Sequence, residues 1–249
     1  MGAAAHDTWF EPLASTRPGE VRLALGTGDR FPAQEYAIDP KYLVRQGCNS
    51  SAPVNLVALR AERITATALV LRAPVSARSC WAQLIPFELA LPADKVEVYL
   101  KEINASADLR ATWAAMQARG LAWNETYTKH ARINLGEVSA QSAATSGMGM
   151  DMLLQADPGP VRVRDKVVVQ VLREGRPLAG FNVELRSELS AMGLWHRTDG
   201  EGRITVQPPL AGRWVLRGTD LALSASRPDE WESGFITLAF DVLPAVAAN

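Results

Sequence analysis

Two neighbours near the start of the chain, His6 and Asp7, carry the most distinctive chemistry in the sequence. If an export signal is removed ahead of His6, that residue presents an imidazole and a free α-amino group together. An α-amine and an imidazole can both serve as neutral nitrogen donors around neutral pH. They can close on one ion as a chelate, and such nitrogen donors suit copper, nickel, zinc or iron. Asp7 can add an oxygen ligand, or orient the ring through a hydrogen bond. The plainer alternative is that both residues only anchor a first strand. Met1 to Ala5, where still attached, would block the amine.

The other imidazoles are His130 and His196. Each is a candidate second ligand, and each also reads as an ordinary satisfied histidine. Met148, Met150 and Met152 alternate, which places their thioethers on one face of a strand. Thioethers favour Cu(I), but adaptable core filling is the simpler expectation for them. Cys48 and Cys80 suit one disulfide in an exported protein, worth about 3 kcal/mol, or else two buried thiols. No CxxC or Cys/His spacing indicates structural zinc. The chain lacks a GxSxG elbow, a P-loop, an HExxH helix and a dinucleotide fingerprint, so no enzyme is expected.

The elements that must position these residues are mostly strands. The chain has 249 residues, 47% hydrophobic and 21% charged, with net charge −1. That is ordinary globular composition, without the basic footprint of a nucleic-acid binder. No apolar run approaches the ~20 residues of a transmembrane helix. Val21–Gly26, Val54–Leu59 and Arg63–Arg72 read as strands, with turns at Pro18-Gly19 and Gly26-Thr27-Gly28-Asp29. From about 92 to 134 the spacing turns helical: Ala93–Leu100, then Asp108–Arg119 capped by Gly120, then Trp123–Arg132 as a short third helix holding His130. Asp157-Pro158-Gly159-Pro160 reads as a domain boundary. Short strands separated by Gly/Pro turns follow to the end, and His196 falls on one of them. The seven tryptophans show no spaced, exposed pattern for stacking on sugars. The expected fold is mainly β, in two β-sandwich domains. Residues 6–158 form the first, with its helical insertion, and 159–249 the second.

Ala3-Ala4-Ala5 reads as the small-residue tail of a signal peptide cleaved before His6, or as a frayed terminus. A resemblance then adds context. HDTWFEP, VRLALGTGDRF, FELALPADKVEVYLKEI and NETYTKHAR occur in order, followed by GRPLAGFNVELRSELSAMGLWHRTDGEGRITV and WESGFITLAF. Together they resemble a bacterial periplasmic family of unknown function, grouped with substrate-specific components of nickel and cobalt uptake. The second half is also similar to transthyretin-like and carboxypeptidase-regulatory-like sandwiches. The resemblance implies a periplasmic protein of nickel or cobalt uptake, with a membrane metal-transport complex as partner. Taken with the donor chemistry above, the expectation is a protein that binds or delivers a transition metal (Ni, Co, Cu or Zn) at His6, with Asp7 as a helper. The alternative is a non-catalytic envelope module whose loops bind a protein or a glycan.

Overall fold

The computed structural model describes residues 6–51 and 56–246. The Ala3–Ala5 signal tail and part of the Val54–Leu59 strand expectation lie outside them. In chain order the strands and α-helices are β1 (Asp7–Leu13), β2 (Glu20–Gly28), β3 (Tyr36–Ala37), β4 (Leu43–Ser50), β5 (Leu56–Val57), β6 (Arg60–Ile64), β7 (Leu69–Pro74), β8 (Ala77–Leu84) and β9 (Phe87–Leu91), then α1 (Ala93–Glu102) and α2 (Ala107–Ala118). There follow β10 (Trp123–Asn134), β11 (Met150–Gln155), β12 (Val167–Arg173), β13 (Arg176–Pro177), β14 (Asn182–Ser187), β15 (Leu194–Arg197), β16 (Arg203–Val206), β17 (Gly212–Leu223) and β18 (Trp231–Val242). The fold is mainly β and sandwich-like, as expected. No helix among the described residues is long and apolar enough to cross a membrane.

One large sheet organises the molecule. Its order is β15-β14-β17-β18-β10-β8-β4-β5, with β9 also on β10. A smaller sheet, β1-β2-β7-β6 with β3 on β2, packs over one part of it. Phe10, Leu23, Leu25, Leu69 and Leu71 meet Cys80, Ala82, Leu84 and Ile133 in that core. A third sheet, built from β11, β12, β13 and β16, covers the other part. Here Met150, Met152, Leu154, Val167, Val169 and Val171 pack on Leu185, Trp214, Leu216, Ile236, Leu238 and Phe240. Each core alternates inward apolar residues with outward polar ones, as period-2 strands must.

The large sheet crosses the boundary expected near 157–161. β10 pairs in parallel with β18, from Glu125↔Trp231 to Ile133↔Ala239, so both halves of the chain contribute to one sheet. The prolines still interrupt regular structure: between β11 and β12 only isolated bridges form, such as Val138↔Gly159.

Three local expectations are corrected. Trp123–Arg132 is not a helix but most of β10, a central strand. Its aromatic and β-branched residues suit a pleated surface, and pairing with β8, β9 and β18 overrides its polar, helix-tolerant composition. Gly26–Gly28 belongs to β2 rather than a turn. A Cβ at Gly26 would meet the Thr67 carbonyl at 2.6 Å, and one at Gly28 the Ala33 carbonyl at 2.4 Å, so these glycines permit close backbone approach. Arg63–Arg72 is split into β6 and β7 by a turn, in which the Thr65 hydroxyl accepts the Ala68 amide at 3.0 Å.

The two expected helices before it are present. Ser106 caps α2 by accepting the Leu109 amide, and Gly120, with φ of 75°, sits just past its end. They bury Val96, Tyr99, Leu100, Trp113 and Met116 against Trp123 and Trp231. The buried Glu125 carboxylate joins this layer to the sheet. It accepts from Tyr99 Oη at 2.9 Å, from Trp123 Nε1 at 2.9 Å and from the Ser233 hydroxyl. Burial nonetheless raises its pKa, against the pull of those donors.

Candidate functional site

Strand β10 separates two cavities. Its side chains alternate, so Tyr127 and Lys129 point to one face, and Thr126, Thr128 and His130 to the other. The first face holds an aromatic cavity of about 320 Å³. Tyr42 meets Phe87 edge-on at 5.3 Å, Phe87 stacks on Tyr127 at 5.5 Å, and Tyr127 meets Phe235 at 5.9 Å. An apolar enclosure with a few convergent polar groups is the usual form of a small-ligand site.

His6 stands in the lining of this cavity. Its ring stacks on Tyr36 with centroids 5.5 Å apart, and its Nε2 lies 2.6 Å from Asp29 Oδ1. The pairing of β1 with β2 explains the meeting: Asp7 is opposite Gly28, so the preceding residue falls beside the following one. Lys129 Nζ donates to the His6 carbonyl at 2.7 Å. Burial pushes the Lys129 ammonium down to about 8, with the charge of Asp7 opposing.

Asp7 turns away from His6, as the next residue on a strand does. Its carboxylate accepts from Arg217 Nη1 at 2.6 Å, and Arg217 Nε reaches Glu184 at 2.6 Å. Asp29 therefore occupies the position beside the ring that the sequence suggested for Asp7. The register that reveals this is invisible while Gly26–Asp29 is read as a turn. Lys129 was equally hidden by the helical reading of β10, although the alternation Glu125, Tyr127, Lys129 carries the signal.

His130 and His196 do not join His6. His196 lies on β15 at the edge of the large sheet, paired opposite Val183, and burial lowers its pKa. His130 is 3% exposed and borders the second cavity. Its Nδ1 lies 3.0 Å from the Phe235 carbonyl, which can only accept, so the proton sits on Nδ1 and Nε2 keeps its lone pair. Among the described residues no group of three or more His, Cys, Asp and Glu gathers as a metal-holding set. The fit of a metal at the first cavity therefore rests on His6 and Asp29.

Burial lowers the His130 pKa to about 4, against the Phe235 hydrogen bond and Asp151, which raise it. The unfolded value is near 6.5, so the fold prefers the neutral ring. This preference is fully present above pH 6.5 and is lost as pH falls from 6.5 towards 4, because the unfolded chain then binds the extra proton. On the order of 3 kcal/mol of stability should disappear across that window. Urea unfolding between pH 7 and 4 checks it: His130→Gln should flatten the profile there, and an equally steep profile in the variant would refute the assignment.

A mainly-β, sandwich-type protein with two cavities flanking one central strand is the class these features define. The sequence model of a family described as a domain of unknown function (DUF4198) matches residues 3–219, and the chain belongs to that family. No curated protein matches the sequence.

Proposed function

We propose that this protein is a binding protein of the bacterial envelope, that it acts without catalysis, and that His6 at the aromatic cavity holds a transition-metal ion as cargo. The observation that carries the reading is the 2.6 Å approach of His6 Nε2 to the Asp29 carboxylate. An imidazole and a carboxylate already side by side need little rearrangement to share one cation. The α-amine of a chain starting at His6 chelates with Nδ1 of the same ring, so a site that uses it turns Nδ1 in place of Nε2 towards Asp29. Nickel or cobalt is the cargo suggested by the family resemblance, with copper and zinc as competitors and a membrane metal-transport complex as the recipient. Export to the periplasm draws support from the Cys48–Cys80 disulfide, since such bonds persist in oxidising compartments.

Calorimetric titration of protein beginning at His6 with Ni, Co, Cu and Zn tests this. One ion per chain is expected. Binding should be lost in His6→Ala and weakened at least tenfold in Asp29→Asn. An N-terminal extension should weaken it too, because an amide nitrogen lacks the amine's lone pair. Unchanged affinity in His6→Ala would remove His6 from the site.

The cavity itself favours a second reading, an aromatic or otherwise apolar organic anion. Its rings would cover the apolar body, and the Lys129 ammonium, 5.7 Å from the Tyr127 ring centroid, would meet the charge. Anilinonaphthalene sulfonate is a suitable probe. Fluorescence enhancement abolished by Lys129→Met, without metal binding at His6, would favour this reading over the first.

A further inference from the structure

The second cavity, on the opposite face of β10, has a volume of about 340 Å³ and a polar lining. Its most informative atom is His130 Nε2, which is buried without a hydrogen-bond partner. A ring whose other nitrogen donates to a backbone carbonyl has its tautomer fixed and its lone pair directed outward, which is how metal-binding histidines are held.

Two glycines open space beside that ring. A Cβ at Gly149 would stand 3.3 Å from His130 Nε2 and 3.1 Å from Glu174 Oε1. The missing side chain leaves a gap between the unpartnered nitrogen and a carboxylate. A Cβ at Gly234 would overlap Met150 Sδ at 2.4 Å and come within 3.9 Å of His130 Cε1. The missing side chain there lets the thioether settle against the sheet beside the imidazole edge. Met150 belongs to the apolar core yet also lines this cavity.

The remaining charges do not fill the gap. Arg173 is paired with Asp220 at 2.7 Å, and Glu232 accepts from the Ser224 hydroxyl. The Gln83 side-chain oxygen is taken by the Gly149 amide at 3.0 Å. The lining also carries the Gln83 amide and the Thr126 and Thr128 hydroxyls, but the groups that a Gly149 Cβ would meet are an imidazole nitrogen and a carboxylate, with the Met150 thioether against Gly234 on the far side of the ring. A cation is the ligand such a set accepts, and imidazole together with thioether selects copper, most of all Cu(I).

We propose that His130 Nε2, Met150 Sδ and Glu174 form a copper(I) site in the polar cavity beneath Gly149. This site is separate from His6 and does not depend on the reading given for His6.

The test is Cu(I) titration of the full chain in ascorbate, in competition with bicinchoninate, using a His6→Ala background. One Cu(I) per chain is expected in that background. Met150→Leu keeps the apolar volume and removes only the sulfur. Gly149→Ala keeps every donor and fills the gap. Each should weaken Cu(I) at least tenfold with an unchanged melting temperature, and copper X-ray absorption should show sulfur scattering in the parent that Met150→Leu loses. Affinity unaltered by both substitutions would overturn the site. Copper binding that vanishes with His6→Ala alone would also overturn it, while leaving the His6 proposal standing. Loss of nickel and cobalt binding in His6→Ala with Cu(I) retained would support both sites independently.

Discussion

Replacing Asp151 by alanine is expected to destabilise the fold by about 3–5 kcal/mol, because it strands a guanidinium that has no access to water. Arg132 is 0% exposed. It donates to Asp151 Oδ1 at 2.7 Å, to Ser79 Oγ at 2.8 Å, and to the carbonyls of Ser142 and Ala144 at 3.2 and 2.7 Å. The second Asp151 oxygen accepts from the Ser146 amide and hydroxyl at 2.8 and 2.7 Å. The pair thereby ties β10 to β8, to β11 and to the loop that leads into Met148, Gly149 and Met150. Its desolvation is offset only while both members and their backbone partners are present. Replacing both charges, as Arg132→Met with Asp151→Leu, should cost less than Asp151→Ala alone. Urea unfolding with an unchanged m-value measures the difference. A single substitution costing under about 1 kcal/mol would show that water reaches the guanidinium. The loop should suffer as well, so Asp151→Ala should loosen the segment carrying Gly149, read as faster amide exchange at 142–149.

Opening the Cys48–Cys80 bond is expected to lower stability by about 4 kcal/mol, the entropy released when a constraint spanning 32 residues is lifted from the unfolded chain. Cys48 and Cys80 face one another on neighbouring strands of the large sheet, and both are fully buried in the apolar core beneath β1, β2 and β7. The sheet pairing itself should survive reduction, since β4 and β8 are joined by main-chain bonds along their length. The loss therefore belongs mainly to the unfolded state and should appear as a fall of about 10 °C in melting temperature for a chain of this size. Thermal scans of the native protein with and without reductant, and of the Cys48→Ala/Cys80→Ala variant, check it. Reduced and double-alanine proteins melting within a degree or two of the native one would contradict the chain-entropy account.

These two devices bear on the sites in different ways. The disulfide fastens two strands of the large sheet under the layer that carries His6 and Asp29. The Arg132–Asp151 pair holds the segment that covers His130. A substitution at either one can change ligand binding through position alone, so metal affinities of those variants should be read beside their stabilities.

The sequence alone determined the β character of the chain and both helices before β10, with Gly120 at the end of the second, and left Cys48 and Cys80 as either a disulfide or two buried thiols. Local chemistry suffices for these: alternation marks a strand, a run of helix formers marks a helix, and glycine marks its end. It also offered His6 and Asp7, with His130 and His196 behind them, as groups able to do chemistry, and read Met148, Met150 and Met152 first as core filling. Only the tertiary structure decided what each one meets. The strand register set Asp29, and not Asp7, beside His6, because a shift of one residue exchanges the faces of a strand. The helical reading of Trp123–Arg132 failed because its pairing partners lie far along the chain, in β8 and β9 on one side and at Trp231–Ala239 on the other, and no local pattern contains them. That same parallel pairing joined the expected two halves through one sheet and placed a cavity on each side of β10. Glu174, a turn residue in the sequence, lines one cavity with His130, and a Cβ at Gly149 would stand 3.1 Å from its Oε1 and 3.3 Å from His130 Nε2.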